Sequence, residues 1–360
     1  MKLTEIDKNF KLAAVNEPDL EWHAADEDAF SLHGIYYDET AERYLRMPLE
    51  TAKAVSNGVY FLTSHTAGGR LRFITDSPYV AIRCVAPAEL PMPHMPYVGS
   101  HGFSLYADGK FAYMCAPSHV PAATPVVDGK IAFEGIRRFE TVFARDIDLY
   151  FPLYNGVNKL FIGLKKGCSL QRPKPYKYQK PVLFYGSSIT QGGCASRPGN
   201  DYISHLSRWL DCDILNLGFS GNAKGEQAMI DHLAAQDPAV YVIDYDHNAP
   251  TAEHLQATHL PLYEAIRKAH KNTPVIFISK PDCDRNPTDS ALRRQVIYNT
   301  YLTAKKRGDK RVWFIDGQSF NGKEDRDACA VDTCHPNDLG FYRMAKKVLP
   351  VLKKALKKIK

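Results

Sequence analysis

The sequence has 360 residues, of which 44% are hydrophobic, 24% charged and 11% aromatic. At roughly 100–200 residues per domain, this length predicts two domains with substantial cores, and the ordinary composition excludes a disulfide-stapled miniprotein, a collagen-like chain and a disordered chain. The formal net charge of +6 comes from lysines close to the C-terminus, because the rest of the chain has nearly equal numbers of basic and acidic residues. This balance argues against a nucleic-acid partner.

The start of the chain, MKLTEIDKNFKLAAVNEPDLEW, carries charges throughout and lacks the apolar run of a signal peptide. No stretch reaches about 18 consecutive apolar residues, so no membrane partner is expected. The eight cysteines are scattered without a C-x-x-C pair, which favours reduced thiols over a metal site or dithiol chemistry. We therefore expect a cytoplasmic protein, although a secreted protein whose leader had been removed would look the same.

Residues 57–164 contain short runs of β-forming residues separated by Gly, Pro, Asp and Ser: VYFLTSH, RLRFIT, YVAIRCV, GFSLYADGKFAYM, RRFETVFA and KLFIGL. Apolar residues alternate in these runs with a period of two, as in half-buried strands. Asp108-Gly109 predicts a tight hairpin turn, because both positions accept a positive φ at low cost. The first half is therefore expected to be an all-β sandwich, against which the aromatic residues of the first fifty positions pack.

Between Gln171 and Pro181 the chain reads QRPKPYKYQKP, with three prolines and four cations. This composition is typical of an extended connector and not of a core element. We therefore divide the chain into an N-terminal domain at residues 1–172, a linker at 173–180 and a second domain at 181–360.

Beyond the linker, apolar strands alternate with helical segments. The predicted strands are PVLFYG, DILNLG, AVYVIDYD, PVIFIS and RVWFIDG. Helices are predicted after Asp201, from about Lys224, from His254 to His270, from Ser290 to Arg307 and in the lysine-rich end. This alternation indicates a parallel sheet with helices on both faces. Because ligands bind beyond the carboxyl ends of such strands, the loops there are the candidate site.

Four of these loops carry chemically useful side chains: GSSITQGG at 186–193, NLGFSGN at 216–222, DYDHNAP at 244–250 and DTCHP at 332–336. Ser188 in the first loop is either a nucleophile or a helix cap, and a phosphate loop is disfavoured because the lysine of that motif is missing. The second and third loops are, by themselves, typical of ordinary turns. In the fourth, Asp332 stands three residues before His335, a spacing at which an acid can orient the imidazole that deprotonates a serine.

Together and in this order, the four blocks resemble those of the SGNH (GDSL-type) hydrolase superfamily, from about Pro181 to the C-terminus. The resemblance implies a flavodoxin-like α/β domain with a five-stranded parallel sheet. It implies that Ser188 is the nucleophile and that Asp332 and His335 complete a catalytic triad. It also implies an oxyanion hole formed by the N–H of Ser188, the N–H of Gly221 and the amide of Asn248.

Two blocks depart from the family pattern. The first reads G-S-S where the family has G-D-S, and alignment with Ile189-Thr190 assigns the nucleophile to Ser188 and not to Ser187. The third reads D-H-N-A in place of G-x-N-D. This second departure leaves Asn222 as a rival to Asn248 for the amide of the oxyanion hole.

Three further residues are candidates for roles near the site. His247 is an alternative base, with Asp244 three residues before it, but the family pattern favours His335. Arg197, in the segment CASRPG after the nucleophile, is predicted either to contact substrate or to pair with a surface acid. Asn222 is the other candidate substrate contact.

The first domain resembles the jelly-roll-like β-sandwich that precedes the hydrolase domain in a carbohydrate-esterase-like subgroup of this superfamily. Asp148-Leu149-Tyr150 carries this resemblance, because it matches the subgroup signature G-x-D-L-Y except that Asp146 replaces the glycine. A strand-and-turn segment that packs against the second domain is the plainer interpretation of the same residues.

The resemblance implies a serine esterase that hydrolyses acyl esters through an acyl-enzyme, without a metal or an organic cofactor. The subgroup indicates O-acetyl groups on carbohydrates, so a small-molecule or oligosaccharide ester is the expected partner. Two alternatives stay open: a hydrolase of short-chain lipid or thioester acyl groups, and a catalytically dead carbohydrate-binding protein. The second alternative is disfavoured because all three triad residues are present.

Overall fold

The computed structural model of the protein describes residues 15–118, 124–282 and 284–359. The strands are β1 (Leu20–Ala24), β2 (Ser31–His33), β3 (Tyr36–Asp38), β4 (Arg43–Leu45), β5 (Arg70–Thr75), β6 (Tyr79–Pro87), β7 (Phe103–Ala107), β8 (Lys110–Cys115), β9 (Val126–Val127), β10 (Lys130–Arg138), β11 (Arg145–Tyr150), β12 (Lys159–Lys165), β13 (Leu170–Gln171), β14 (Tyr178–Gly186), β15 (Cys212–Gly218), β16 (Val240–Asp244), β17 (Val275–Ile278) and β18 (Val312–Ile315). The helices are α1 (Leu49–Val55), α2 (Asn57–Leu62), α3 (Tyr97–His101), α4 (Ser188–Gln191), α5 (Tyr202–Leu210), α6 (Gln227–Ala235), α7 (Ala252–Ala269), α8 (Pro287–Lys306) and α9 (Asp338–Leu356). Turns of 3₁₀ helix lie at Gly317–Ser319, Asp327–Cys329 and Lys357–Ile359.

The first half of the chain is a sandwich of two antiparallel sheets. One sheet has the order β1-β12-β6-β10-β9, and the other has the order β13-β5-β11-β7-β8 with β2 paired to β5. Side chains from both sheets form one core, which includes Phe73, Ile82, Leu105, Phe133, Ile147 and Ile162. The predicted β-sandwich is confirmed. The predicted hairpin is confirmed too, because Asp108 and Gly109 join β7 to β8 with φ of 50° and 73°.

The sequence predicts a strand for VYFLTSH, and this prediction is wrong, because residues 57–62 form α2. Ser56 caps the helix, since its hydroxyl accepts a hydrogen bond from the N–H of Val59 at 3.1 Å. Val59 and Leu62, three residues apart on one face, are buried in a core that belongs mostly to the second half. Capping and packing therefore outweigh the β propensity of this segment.

The run RRFETVFA is a strand only in part, because β10 ends at Arg138 and β11 begins at Arg145. Between these strands, Val142 and Phe143 are more than half exposed. The guanidinium of Arg145 lies over the ring of Phe143 at 3.9 Å. This cation–π contact gives Phe143 a partner outside the core, which explains an apolar residue in a turn.

The second half contains five parallel strands in the order β15-β14-β16-β17-β18. Alternate residues of β14 enter opposite cores: Val182 and Phe184 pack with α5 and α9, whereas Leu183 and Tyr185 pack with α6, α7 and α8. Helices therefore cover both faces of the sheet. This flavodoxin-like arrangement confirms the predicted α/β fold, and it brings the loops after the strands to one edge.

The helices of the second half begin where short polar side chains accept a backbone N–H. These N-cap residues include Asp201, Thr251, Asn286 and Asn337. The last helix, α9, is the helix predicted in the lysine-rich end. It buries Val348, Leu352 and Leu356 and exposes its lysines, so it is amphipathic. In the described ranges, no helix combines the length and apolar character needed to cross a membrane.

The two halves of the molecule share their cores. Met47, Val59 and Leu62, which lie around α1 and α2, belong to the core between the parallel sheet and α6 to α8. Leu153 and Tyr154, which follow β11, belong to the core on the opposite face of that sheet. The sandwich is therefore docked on the α/β half through buried apolar contacts.

The predicted linker at 173–180 lies against both halves. The ring of Tyr176 contacts that of His33 in the sandwich at a centroid distance of 4.9 Å. On the side of the second half, the backbone N–H of Lys177 donates to the carbonyl oxygen of Asp211, just before β15, at 3.1 Å. Strand β14 begins within this segment, which shortens the irregular connection.

Candidate active site

Strand β14 ends in a tight turn that leads directly into α4, and Ser188 is the first residue of that helix. The preceding Ser187 is its N-cap, since its hydroxyl accepts the N–H of Ile189 at 3.2 Å. Ser188 Oγ lies 2.9 Å from Nε2 of His335. Of the two adjacent serines, Ser188 is therefore the one that meets the histidine.

Two glycines let this turn lie close to the neighbouring loops. A Cβ on Gly186 would lie 2.4 Å from the carbonyl oxygen of Asp244, and a Cβ on Gly218 would lie 2.3 Å from the backbone nitrogen of Gln191. Real Cβ atoms do not approach backbone atoms this closely. The first sequence block can therefore pack against the second and third blocks only with glycine at these positions.

His335 is held from its other side by Asp332. The Nδ1 of His335 lies 2.7 Å from Oδ2 of Asp332, and the other carboxylate oxygen accepts the backbone N–H of His335 at 2.7 Å. The same oxygen accepts the N–H of Cys334 at 3.2 Å, across a turn in which Thr333 has a φ of 65°. Ser188, His335 and Asp332 thus form a continuous hydrogen-bonded series, with distances in the range of about 2.6–3.2 Å expected for a nucleophile, a base and an orienting group.

The electrostatics of the series favour a charged carboxylate and a basic imidazole. Burial alone would raise the pKa of Asp332, but the hydrogen bonds from the backbone and ring of His335 lower it to about 2. Burial alone would lower the pKa of His335, but its contacts with Cys334 and Asp332 raise it above 6.5. Asp332 therefore stays ionised at neutral pH and stabilises the protonated form of His335.

The candidate oxyanion donors lie on the neighbouring loops. Gly221 has a φ of 69° and open space around it. The Oδ1 of Asn248 accepts the N–H of Ala223 at 3.4 Å, so Nδ2 is the remaining polar group of this amide. The rival Asn222 is engaged locally, because its Nδ2 donates to the carbonyl oxygen of Ser220 at 2.7 Å. The contacts therefore favour Asn248 as the side-chain donor.

Arg197 is engaged by the sandwich domain. Its Nη1 donates to the hydroxyl of Tyr106 at 2.6 Å, and its guanidinium lies over the ring of Phe111 at 3.8 Å. This interaction with aromatic rings differs from the surface ion pair that the sequence offers as one alternative. A substrate contact by Arg197 or Asn222 stays a prediction.

The sandwich domain supports the turn that carries Ser188. The Nε2 of Gln191 donates to the carbonyl oxygen of Leu153 at 3.0 Å, and its Oε1 accepts the N–H of Ser220 at 3.0 Å. The hydroxyl of Tyr154 donates to the carbonyl oxygen of Ser188 at 3.1 Å. The sequence by itself did not single out Leu153 or Tyr154. The nearest sequence signal is the D-L-Y motif, which ends at Tyr150, just before them.

A cleft beside His335 is formed by both halves. The ring of His94, from the sandwich domain, lies 5.5 Å from that of His335 between centroids. His94 also lines a cavity of about 670 Å³, whose lining residues do not include Ser188, His335 or Asp332. It is lined by Pro93, His94, Met95 and Pro96 from the first half and by Cys194, Ser196, Val331, Asn337, Asp338 and Leu339 from the second. The first half therefore supplies one wall of the cleft.

The alternative pair of His247 with Asp244 is not formed. The carboxylate of Asp244 is buried and accepts a hydrogen bond from the hydroxyl of Thr190 at 3.2 Å. The imidazole of His247 instead lies between Cys334 and Asp282, with its Nε2 3.0 Å from the sulfur atom. His247 therefore has no contact with the candidate nucleophile in the described residues.

Three groups of described side chains place nitrogen, oxygen or sulfur atoms within 4.8 Å of one another, a spacing at which a metal ion can be bound. They are His94, Cys194 and His335; His247, Asp282 and Cys334; and Asp332, Cys334 and His335. Two of the groups contain His335. A metal ion on that imidazole would compete with Ser188 and not assist it.

Two family models match this chain, one in each half, and together they cover nearly all of it. Residues 179–353 match the GDSL-like lipase/acylhydrolase family. Residues 20–170 match the N-terminus of SGNH-hydrolase-type esterases, whose signature is GxDLY. The boundary between the two matches lies in the segment that joins the sandwich to the parallel sheet.

Solved structures share the complete two-domain arrangement. A GDSL-like lipase from Bacteroides ovatus ATCC 8483 is 27% identical, with a TM-score of 0.82 over 94% of this chain and 98% of that one. The salicylyl-acyltransferase SsfX3 of a tetracycline biosynthetic pathway is 18% identical, with a TM-score of 0.76 over 94% and 98%. A family two carbohydrate esterase from Cellvibrio japonicus is 12% identical, with a TM-score of 0.61 over 95% and 99%.

No match was found among curated proteins. One family match covers each half of the chain, and the structural likeness extends over both halves. The sandwich and the α/β domain therefore both resemble these relatives. The chain therefore belongs to the SGNH (GDSL-type) hydrolase superfamily and is an ester-hydrolysing enzyme of the subgroup with an N-terminal β-sandwich domain.

Proposed function

We propose that the protein is a serine esterase that removes acyl groups, above all O-acetyl groups, from carbohydrates, with Ser188, His335 and Asp332 as its catalytic triad. The observation that carries the proposal is the continuous series of hydrogen bonds from Ser188 Oγ through the imidazole to the carboxylate, at 2.9 Å and 2.7 Å. The series lies at the carboxyl edge of the parallel sheet, where substrates of such folds bind.

In the proposed reaction, His335 accepts the proton of Ser188 as the alkoxide attacks the ester carbonyl. The developing oxyanion is stabilised by the N–H groups of Ser188 and Gly221 and by the amide of Asn248. The protonated imidazole, stabilised by Asp332, then gives its proton to the leaving sugar hydroxyl. Water activated by the same imidazole releases the acyl group and restores the serine.

Two observations support a carbohydrate as the alcohol part of the ester. Enzymes that share both domains with this chain include an acetyl xylan esterase from Butyrivibrio proteoclasticus and a family two carbohydrate esterase from Clostridium thermocellum in complex with cellohexaose. The cavity of about 670 Å³ that His94 lines exceeds the volume of an acetyl group and leaves room for sugar rings.

The proposal is tested by measuring acetate release from a panel of acetylated oligosaccharides and from p-nitrophenyl acetate. The wild-type protein is expected to turn over at least one acetylated sugar, and Ser188→Ala to lose activity on every substrate while keeping the circular dichroism spectrum. Activity that survives in Ser188→Ala would contradict the assigned nucleophile. No turnover of any acetylated sugar, with p-nitrophenyl acetate cleaved, would contradict the substrate class.

A second candidate is acyl transfer to a small hydroxyl compound, which the fold shared with the salicylyl-acyltransferase favours. Both reactions use the same acyl-enzyme and differ in whether water or an alcohol accepts the acyl group. Acyl donors of increasing chain length, including thioesters, incubated with and without sugar acceptors, distinguish the two. An acylated acceptor formed in excess of free acid would favour transfer, and a preference for long chains or thioesters would favour the lipid or thioester hydrolase.

A further inference from the structure

A second series of a nucleophile, an imidazole and a carboxylate lies beside the first. The Sγ of Cys334 is 3.0 Å from Nε2 of His247, and Nδ1 of the same ring is 3.3 Å from Oδ1 of Asp282. The sulfur and the carboxylate thus contact opposite nitrogens of one imidazole. This is the arrangement in which a histidine takes the proton of a thiol while an acid orients and stabilises the imidazolium.

The charge of Asp282 is directed at this imidazole. Its side chain is only 2% exposed, and among the described residues neither carboxylate oxygen has a partner with good hydrogen-bond geometry. The ring nitrogen of His247 is its closest cationic group, since the Nζ of Lys280 is 3.8 Å away. A buried carboxylate of this kind is costly unless cations compensate it. Lys280 supplies one cation, and the nearer His247 supplies the second when it is protonated, which favours a thiolate at Cys334.

We propose that Cys334 is a redox-sensitive thiolate that a small hydroperoxide converts reversibly to a sulfenic acid, and that this modification switches the esterase off. The modification itself is independent of the proposed function. Its effect on activity rests on the proposed role of His335, the residue next to Cys334 in the chain.

The peroxide, the thiolate of Cys334 and the imidazolium of His247 supply every electron and proton that the oxidation needs. The sulfur of Cys334 attacks one oxygen of the hydroperoxide, the O–O bond breaks, and the released hydroxide or alkoxide takes the proton of the His247 imidazolium. The sulfur is oxidised by two electrons and the peroxide is reduced to water or an alcohol. An external thiol reverses the change: one thiol displaces water from the sulfenic acid to form a mixed disulfide, and a second thiol releases Cys334.

The position of Cys334 couples its state to the proposed catalytic series. Its N–H donates to Asp332 at 3.2 Å, and its sulfur lies within 4.8 Å of a ring nitrogen of His335. The side chain is buried, so an added oxygen atom has to displace one of the two imidazoles that contact the sulfur. Displacement of His335 separates it from Ser188.

A nearby cysteine provides a matched comparison. Burial alone would raise the pKa of the Cys334 thiol, but hydrogen bonds from His247 and His335 lower it to about 7. Cys194 is also buried and close to His335, yet burial and the neighbouring Asp332 raise its pKa to about 12. Two thiols beside the same imidazole are therefore expected to differ in reactivity, because only the thiolate is the nucleophile.

The test treats the full-length protein with hydrogen peroxide at pH 7 and follows hydrolysis of p-nitrophenyl acetate, with dimedone present in parallel samples to trap sulfenic acid for peptide mass spectrometry. We expect activity loss that dithiothreitol reverses, with the dimedone adduct on Cys334. Cys334→Ser should keep its activity in peroxide, and Cys194→Ser should remain as sensitive as the wild type.

The role of the second series is tested with His247→Gln and Asp282→Asn, whose trapping rates at pH 7 are compared with that of the wild type. A rise of the thiol pKa from about 7 to about 9 reduces the thiolate fraction roughly fiftyfold and increases its intrinsic nucleophilicity several-fold, so trapping should slow about fivefold to tenfold. An adduct on another cysteine, or equal peroxide sensitivity in Cys334→Ser, would overturn the proposal. An adduct on Cys334 without activity loss would instead contradict its coupling to His335.

Discussion

The surroundings of His335 and His247 are alike in pattern and different in access. Each imidazole stands between a nucleophilic side chain and a carboxylate, and the two share Cys334 as a neighbour. Asp332 is 37% exposed and accepts backbone N–H groups, whereas Asp282 is 2% exposed and has no such donor among the described residues. The first carboxylate is stabilised by backbone N–H groups and the ring of His335, and the second by two cationic groups, His247 at 3.3 Å and Lys280 at 3.8 Å.

The difference shows that a nucleophile, a base and an acid in series do not by themselves make an active site for esters. Ser188 lies at the edge of the sheet near the loops of Gly221 and Asn248, which we propose as oxyanion donors, and the ring of His94 lies beside that of His335. Cys334 is only 4% exposed and lies between two imidazoles, so a sugar ester does not reach its sulfur. Access and oxyanion donors therefore separate the catalytic series from the one we propose to be regulatory.

The largest expected effect comes from comparing the two histidines. His335→Ala should lower kcat on p-nitrophenyl acetate by about 10⁴–10⁶-fold, because it removes the general base. His247→Ala should lower it by less than about tenfold, ~1.4 kcal/mol, because His247 does not contact Ser188. Equal losses in two variants that retain the wild-type melting temperature would show that both imidazoles belong to one catalytic unit.

The next effect concerns the oxyanion hole. Asn248→Ala should lower kcat by about 10²–10³-fold, ~2.7–4 kcal/mol, with little change in KM, because an oxyanion donor acts mainly in the transition state. Asn222→Ala is the matched control, since its amide already donates to Ser220. A large loss in Asn222→Ala with a silent Asn248→Ala would reverse the assignment.

The sequence predicts those parts of the site that follow from local pattern. The apolar strands indicate a parallel sheet, and a parallel sheet brings all loops after its strands to one edge, so the approach of Ser188 to His335 follows from block order. The α/β fold follows for the same reason. The hairpin at Asp108-Gly109 follows from the φ angles that these residue types tolerate.

The sequence does not predict what depends on how the halves dock. Residues 57–62 are β-forming in isolation and become helical because Val59 and Leu62 are buried against the second half. The hydrogen bond between Tyr154 and Ser188 is likewise invisible without the docked structure. Cys334 and His247 are 87 positions apart, and no local pattern links them.

The contribution of the sandwich domain to the cleft gives a smaller effect. His94→Ala should raise KM for an acetylated oligosaccharide about threefold to tenfold, ~1 kcal/mol, and leave p-nitrophenyl acetate hydrolysis unchanged, because a small acetate does not reach the wall. Leu90→Ala, at an exposed position of the same segment, is the control. A point substitution is preferable to deleting the domain, since a deletion would remove Val59 and Leu153 from the cores of the second half.

Equal loss on both substrates in His94→Ala would show that this ring acts on His335 itself and not on the sugar. Unchanged kinetics on both substrates would show that the sugar does not bind against His94. Only a selective rise in KM for the oligosaccharide supports a wall that selects substrates.

The smallest expected effect is a shift in pH dependence, and it separates the two histidines without removing either. His335 must be neutral to accept a proton, so kcat/KM should rise with pH as His335 loses its proton, with a midpoint above 6.5 because its contacts raise its pKa. Cys334→Ala removes one of these contacts and should move the midpoint to lower pH. Asp282→Asn should move the midpoint in the same direction but by less, because Asp282 contacts His247 and reaches His335 only through the charge of Cys334. A midpoint that moves equally in both variants would show that the two series titrate together, and a midpoint that moves in neither would show that Cys334 does not set the basicity of His335.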